Sequence, residues 1–183
     1  MNIIKPFPAN YDAEIASELP SSGAGVQYFP AIETWQSQIY EVALKFTYPD
    51  RPSWFGVFAA RSRNSPGLSL TSTMPDPDSC LVSCMGTGFV VDIAQRDKWQ
   101  AIEMYPVLHV EPILEYQLLL LNNFTRMIAF GAEGLRWLTR PLCSDQLKIL
   151  RVKDGFAECT GWDAPTGDDL TFQVSVSTGT VTK

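Results

Sequence analysis

Between Leu118 and Arg140 the chain alternates short apolar runs with residues that favour turns. Short apolar runs separated by turn residues are typical of antiparallel strands that follow one another in a meander. The stretch therefore predicts three consecutive strands, and it constrains the fold more than any other segment does. The runs are Leu118 to Leu121, Met127 to Phe130 and Leu135 to Thr139, and the turn residues between them are Asn122-Asn123 and Gly131 with Gly134.

The rest of the chain carries a similar pattern. Thirteen prolines and twelve glycines are spread over 183 residues, which suits many short elements better than a few long helices. Lys153-Asp154-Gly155 lies between two alternating runs and is the strongest hairpin signal in the chain. Further strands are predicted at residues 54–60, 68–73, 80–85, 88–94, 98–104, 107–110, 146–153, 156–161 and 171–177.

The N-terminal segment differs in composition. Residues 1–30 are rich in proline, serine and glycine, and they predict an irregular arm that either wraps the domain or is partly mobile. One helical turn is expected near Ala13 to Leu19, ended by Pro20. Residues 31–183 are then expected to form a single β-rich domain.

Residues 31–46 fit two patterns. Ile32, Trp35 and Ile39 fall on one helical face, whereas the residues from Ile39 onwards alternate between apolar and polar as in a strand. We expect a helical turn near residues 31–36, followed by a strand near residues 38–48.

A shift of the chain by 38 residues reveals an internal regularity, since it places residues 80–100 on residues 118–138 and Trp99 on Trp137. A period near 40 with a tryptophan in each unit is typical of a propeller blade, but this chain holds at most about four such units. Two stacked antiparallel sheets suit the length better. We therefore predict an all-β fold with minor helix, in which antiparallel meander sheets form a sandwich or a partial propeller. Whether the two halves of the domain are related by a repeat is left open.

Charge and hydropathy exclude several classes of partner. The net charge is −6 and the basic residues are scattered, which argues against nucleic-acid binding because that affinity depends on clustered Lys and Arg. No apolar run approaches the length of about 20 residues that spans a bilayer. The N-terminus also lacks the apolar core of a signal peptide. We therefore expect a cytoplasmic protein without nucleic-acid or membrane partners.

The cysteines and the single histidine predict no cofactor and no metal site. Cys80, Cys84, Cys143 and Cys159 have no regular spacing, and His109 has no partner at metal-ligand spacing. Cys80 and Cys84 on one strand would lie about 13 Å apart, which is beyond the reach of a disulfide. Buried free thiols are the expected state.

Other polar groups offer weak candidates for chemistry. The C-terminal acids could form a calcium loop, but they lack the required alternate spacing and suit solvated turns. His109 lies in an alternating strand, and no nucleophile can be nominated for it. Gly86-Thr87-Gly88 precedes a strand, so it predicts a hairpin turn and no phosphate cradle. We therefore nominate no catalytic residue. The acids are Asp154, Glu158, Asp163, Asp168 and Asp169.

Tryptophans provide the best candidates for a binding site. Trp54 and Trp162 border predicted turns, where partial exposure is expected, and exposed aromatic residues often anchor partners. Trp162 with Asp163, together with Trp54, is therefore our predicted binding set. Trp99 and Trp137 are expected to pack in the core or at a sheet edge.

About the last third of the chain resembles uncharacterised bacterial β-rich proteins that carry a strand–turn–Trp unit, a GWD segment and a terminal strand closed by Thr-Gly. The resemblance implies a β fold and no particular activity. The residues that carry it are Phe130 to Trp137, Gly161-Trp162-Asp163-Ala164-Pro165, Phe172-Gln173-Val174 and Ser177-Thr178-Gly179.

The sequence thus favours a non-catalytic, acidic, cytoplasmic module that binds another protein, of immunity or adaptor type. The negative charge, the tryptophans and the missing catalytic set support this hypothesis. The alternative is a small-ligand-binding protein or hydrolase with a dispersed site that includes His109 and the C-terminal acids. The oligomeric state is left open.

Overall fold

The computed structural model describes residues 1–23, 25–30, 41–62 and 64–182. Over these residues the chain is all-β, with seventeen strands and one 3-10 turn at Leu114–Tyr116, which confirms the predicted fold class. The chain divides into two compact units, Met1–Pro106 and Val107–Lys183. In the described ranges no helix is long and apolar enough to cross a lipid bilayer.

The first unit contains two mixed sheets. In each sheet one strand from the N-terminal segment is parallel to its neighbour, whereas the other pairs are antiparallel. The five-stranded sheet has the order β1 (Asn2–Ile4), β6 (Leu70–Thr73), β7 (Ser79–Cys84), β8 (Thr87–Asp92) and β9 (Trp99–Ala101). The four-stranded sheet has the order β2 (Asp12–Ile15), β4 (Glu41–Thr47), β5 (Trp54–Ala59) and β3 (Val26–Phe29).

An aromatic core joins these two sheets. Alternate residues of β4 point inward, since Val42, Leu44 and Phe46 are buried while their neighbours are not. The ring of Phe29 stacks on that of Phe58 with centroids 4.6 Å apart. Residues of β7 and β8 complete the same cluster, so the first unit is a two-sheet sandwich.

The second unit consists of two antiparallel meanders. The first has the order β10 (His109–Ile113), β11 (Leu118–Asn122), β12 (Met127–Gly131) and β13 (Gly134–Leu138). The second has the order β14 (Asp145–Lys153), β15 (Phe156–Trp162), β16 (Asp169–Ser175) and β17 (Val181–Thr182). Leu120 and Met127 from one meander share a buried cluster with Cys159 and Val174 from the other. This unit is therefore also a sandwich, one of the two predicted arrangements.

The strongest local signals are confirmed. The meander between Leu118 and Arg140 is formed by β11, β12 and β13. Asp154 and Gly155 form the two-residue turn between β14 and β15, with φ of 50° and 80°. Both residues need positive φ in a type I′ turn, which explains the Asp-Gly pair. All four cysteines are buried free thiols, as predicted.

The N-terminal segment is more regular than expected. It contributes β1, β2 and β3, and residues Asp12–Ile15 form a strand antiparallel to β4 where a helical turn was predicted from Ala13. Ala13 is buried between exposed neighbours, so tertiary pairing outweighs the local preference. The predicted strand near residues 38–48 is present from Glu41 to Thr47, and the helical turn predicted near residues 31–36 lies outside the described residues.

The two segments related by the 38-residue shift, residues 80–100 and 118–138, have corresponding strands. Residues of β7, β8 and β9 and residues of β11, β12 and β13 each form three consecutive antiparallel strands. Trp99 pairs with Val91, and Trp137 pairs with Ala129, which is the same register after the shift. The preceding hairpins differ, because Leu81 pairs with Val90 whereas Leu119 pairs with Phe130.

Candidate functional site

Trp54 does not have the partial exposure that its position beside a turn predicts. Its side chain is 6% exposed in the core of the first unit. Its ring centroid lies 4.7 Å from that of Phe46, and its Nε1 donates a hydrogen bond to the carbonyl of Ile93 at 3.3 Å. Trp54 opens β5 on the face that packs inward, so its polar atom and its ring are both engaged within the sandwich.

Trp162 and Asp163 lie at the end of β15 in the second unit, and both are half-buried. The carboxylate of Asp163 accepts a hydrogen bond from the hydroxyl of Thr166 at 3.1 Å. The backbone N–H of Asp163 donates to the carbonyl of Asp168 at 2.9 Å. Asp163 therefore closes the turn between β15 and β16, a local structural role.

The remaining C-terminal acids are dispersed among turns and ion pairs. Arg151 donates two hydrogen bonds to the carboxylate of Glu158, from Nε at 2.7 Å and from Nη2 at 2.9 Å. These hydrogen bonds lower the pKa of Glu158. Among the residues that the structure describes, no three His, Cys, Asp or Glu side chains lie close enough to hold a metal ion.

His109 lies at the start of β10, where it pairs with Asn122 of β11. Its imidazole is 48% exposed, and its Nε2 is 3.1 Å from the carboxylate of Glu111. The structure thus places His109 beside Glu111 and not among the C-terminal acids that the alternative hypothesis combines with it. His109 instead borders a groove that the sequence did not indicate.

This groove, which we call the β10–β14 groove, has a volume of about 510 Å³. One wall is formed by the start of β10 and the other by the edge strand β14. Phe124, in the turn between β11 and β12, also lines the groove. The lining is mostly apolar. It consists of Leu108, His109, Asn122, Phe124, Gln146, Leu147, Lys148, Ile149 and Leu150.

Asn122 is the most buried polar residue of the lining, with 2% of its surface exposed. Its Nδ2 donates to the carbonyls of Asn123 at 3.0 Å and Leu147 at 3.2 Å. Its Oδ1 is buried and accepts no hydrogen bond from any described residue. A buried acceptor without a donor destabilises a fold by about 1–3 kcal/mol, so this oxygen is a site where a bound donor would be favourable.

The two walls are edge strands, and one of them, β14, has an irregular backbone. Within the described ranges, β10 pairs only with β11 and β14 only with β15. The register of β14 shifts twice, and Leu150 is the residue left without a Cα partner between Ile149 and Arg151. Such a bulge turns a side chain away from the regular alternation. Leu150 is accordingly 58% exposed beside the groove.

The sequence contains one local signal for this groove, which is weaker than the tryptophans as an indicator of a binding site. Ile149 and Leu150 are consecutive apolar residues in an otherwise alternating strand, which indicates a bulge or an apolar residue on the outer face. The juxtaposition of β10 with β14 had no local signal.

No protein-family model matches the chain, and no curated protein is significantly similar to it.

Proposed function

We propose that the chain is a non-catalytic, cytoplasmic protein-interaction module of immunity or adaptor type that binds an extended apolar segment of a partner protein in the β10–β14 groove. The observation that carries this proposal is an apolar groove bordered by two edge strands. An extended segment beside an edge strand forms backbone hydrogen bonds, and its alternate side chains enter the groove.

Exposed apolar side chains supply the driving force for this proposed binding. Leu150 is 58% exposed and Phe124 is 37% exposed at the border of the groove. Full burial of such a side chain contributes about 1.5–3 kcal/mol. Lys148, which also lines the groove and is exposed, favours a segment with an acidic residue beside its apolar ones.

Selection of peptides from a random library against the whole chain tests the proposal. We expect the selected peptides to have apolar residues at alternate positions. Leu150→Asp should raise their Kd at least about tenfold, because it places a carboxylate against an apolar ligand. Leu135→Asp is the matched control, since Leu135 is 54% exposed on β13 and lies outside the groove.

The comparison of the two variants decides the outcome. Equal binding of the peptides by the wild type and Leu150→Asp would contradict the groove as their site, and a library that yields no binding peptide would contradict the function. The same two variants can be used to capture partner proteins from native lysate. We expect Leu135→Asp to retain the partners of the wild type and Leu150→Asp to lose them.

A second candidate, binding of a small molecule in the same groove, is favoured by the buried Oδ1 of Asn122. Such a ligand would combine an apolar body with an N–H or O–H group that donates to this oxygen. Hydrolysis has less support, because no Ser, Thr or Cys is among the described residues that line the groove. A thermal-shift screen of small metabolites separates this candidate from peptide binding.

A further inference from the structure

The first unit contains a separate cavity of about 340 Å³ between two connections. One connection joins β4 to β5 and supplies Arg51 and Ser53, and the other joins β8 to β9 and supplies Arg96. Tyr48 and Trp54 contribute apolar walls. The volume is within the usual range of small-molecule sites, about 300–1,000 Å³.

Charge is the unusual feature of this cavity. The protein carries a net charge of −6, yet two arginines and neither Asp nor Glu are among the described residues that line the cavity. Asp50 is 3.8 Å from Nε of Arg51, but that carboxylate is 74% exposed and lies outside the lining. Arg96 has no carboxylate within ion-pair distance in the described part of the chain.

Neighbouring groups contact Arg51 through its side chain and Arg96 through its backbone. The guanidinium of Arg51 lies over the ring of Tyr48, 4.9 Å from its centroid. Tyr48 is itself buried, and its hydroxyl donates to the carboxylate of Asp78 at 3.1 Å. The backbone carbonyl of Arg96 accepts a hydrogen bond from Nε2 of Gln27 at 3.2 Å. This restricts the connection that carries Arg96.

We propose that this cavity binds a small oxyanion, a phosphate or carboxylate group carried by a small molecule, between Arg51 and Arg96. Two like charges that share a cavity are stabilised by an anion between them, and guanidinium groups donate paired hydrogen bonds to oxyanions. The hydroxyl of Ser53 lies 3.2 Å from that of Thr47, and by accepting from Thr47 it can donate its own proton to the anion. Tyr48 and Trp54 also line the cavity and would contact the apolar body of the molecule. The site lies in the first unit and does not depend on the function proposed for the groove.

Titration of the whole chain with inorganic phosphate, and separately with acetate, at constant ionic strength tests this site. Backbone amide NMR shifts report binding, and saturable shifts at Ser53 and Ala94 are expected with at least one anion. The anion with the lower Kd identifies the chemical class. Arg51→Gln and Arg96→Gln should each raise the Kd at least about tenfold, which is the usual effect of losing a charge-assisted hydrogen bond.

Arg126→Gln is the matched control, because Arg126 is an exposed arginine in the second unit and should leave the Kd unchanged. Arg51→Lys keeps the charge but loses the paired donors, so an intermediate Kd is expected. Shifts that grow linearly without saturation for both anions would overturn the proposal. So would equal loss of affinity in Arg126→Gln and Arg51→Gln, since that result indicates general charge screening.

Discussion

Nδ2 of Asn122 donates a hydrogen bond to the backbone carbonyl of Leu147 at 3.2 Å and thereby joins the two sheets of the second unit at the groove. Asn122 belongs to β11 and Leu147 to the edge strand β14. The backbone N–H of Leu147 also donates to the carbonyl of Phe124 at 2.9 Å. Two hydrogen bonds therefore connect β14 to β11 and to the turn that follows β11, among residues that line the groove.

Removal of this side chain should destabilise the protein. Asn122→Ala removes two donated hydrogen bonds, to the carbonyls of Asn123 and Leu147, and also removes the unsatisfied Oδ1. The two effects oppose each other, so we expect the free energy of unfolding to fall by about 1–2 kcal/mol. Urea denaturation measures the change. Gln173→Ala, which removes an exposed amide from β16, is the control and should change stability by less than about 0.5 kcal/mol. If both variants lower the free energy of unfolding equally, the hydrogen bonds of Asn122 do not stabilise the fold.

Gly161, which begins the Gly-Trp-Asp segment, has no room for a side chain. A Cβ at this position would lie 2.6 Å from the Cβ of Cys143 and would also contact its Sγ. Gly161→Ala should therefore lower the free energy of unfolding by about 1–3 kcal/mol. In a Cys143→Gly background the same substitution should have a smaller effect, and a double-mutant cycle measures the difference. If the effects of Gly161→Ala and Cys143→Gly on the free energy of unfolding are strictly additive, contact with Cys143 is not the cause of the destabilisation.

The pairing of Glu158 with Arg151 predicts a pH dependence. Hydrogen bonds from Arg151 lower the pKa of Glu158 below its ordinary value of 4.5. The paired carboxylate thus stabilises the fold above the ordinary pKa, and this contribution disappears as pH falls through the lower pKa of the folded state. The stability of wild type relative to Glu158→Gln should therefore decrease on acidification. Denaturation midpoints across this range measure it, and Glu115→Gln, which removes an exposed carboxylate elsewhere, controls for the loss of one negative charge.

Buried thiols should be unreactive in the native protein. Burial raises the pKa of Cys80, Cys84 and Cys159 to about 12 in each case. At mildly alkaline pH these groups are protonated and shielded, and only the thiolate reacts with alkylating reagents. Peptide mass spectrometry should show four modified cysteines in urea, whereas modification under native conditions should be slow and begin at Cys143, which is 9% exposed. Rapid native modification of Cys80 would contradict its burial.

Local patterns were enough to predict the strands and turns of the second unit. The apolar runs after Leu118 and the Asp154-Gly155 pair depend on neighbouring residues alone, because alternation and positive φ are properties of short segments. The segment Asp12–Ile15 was mispredicted because pairing with a strand about 30 residues away decided its conformation.

The candidate site depends on contacts between residues that are distant in sequence. The partial exposure expected for Trp54 is absent because its strand packs that face against a second sheet, and no local pattern specifies which face a second sheet covers. Likewise, β10 and β14 form one groove only because two separate meanders close over a shared core. Sequence periodicity therefore determined which segments are strands, whereas tertiary packing decided which strand edges meet and which side chains line the space between them.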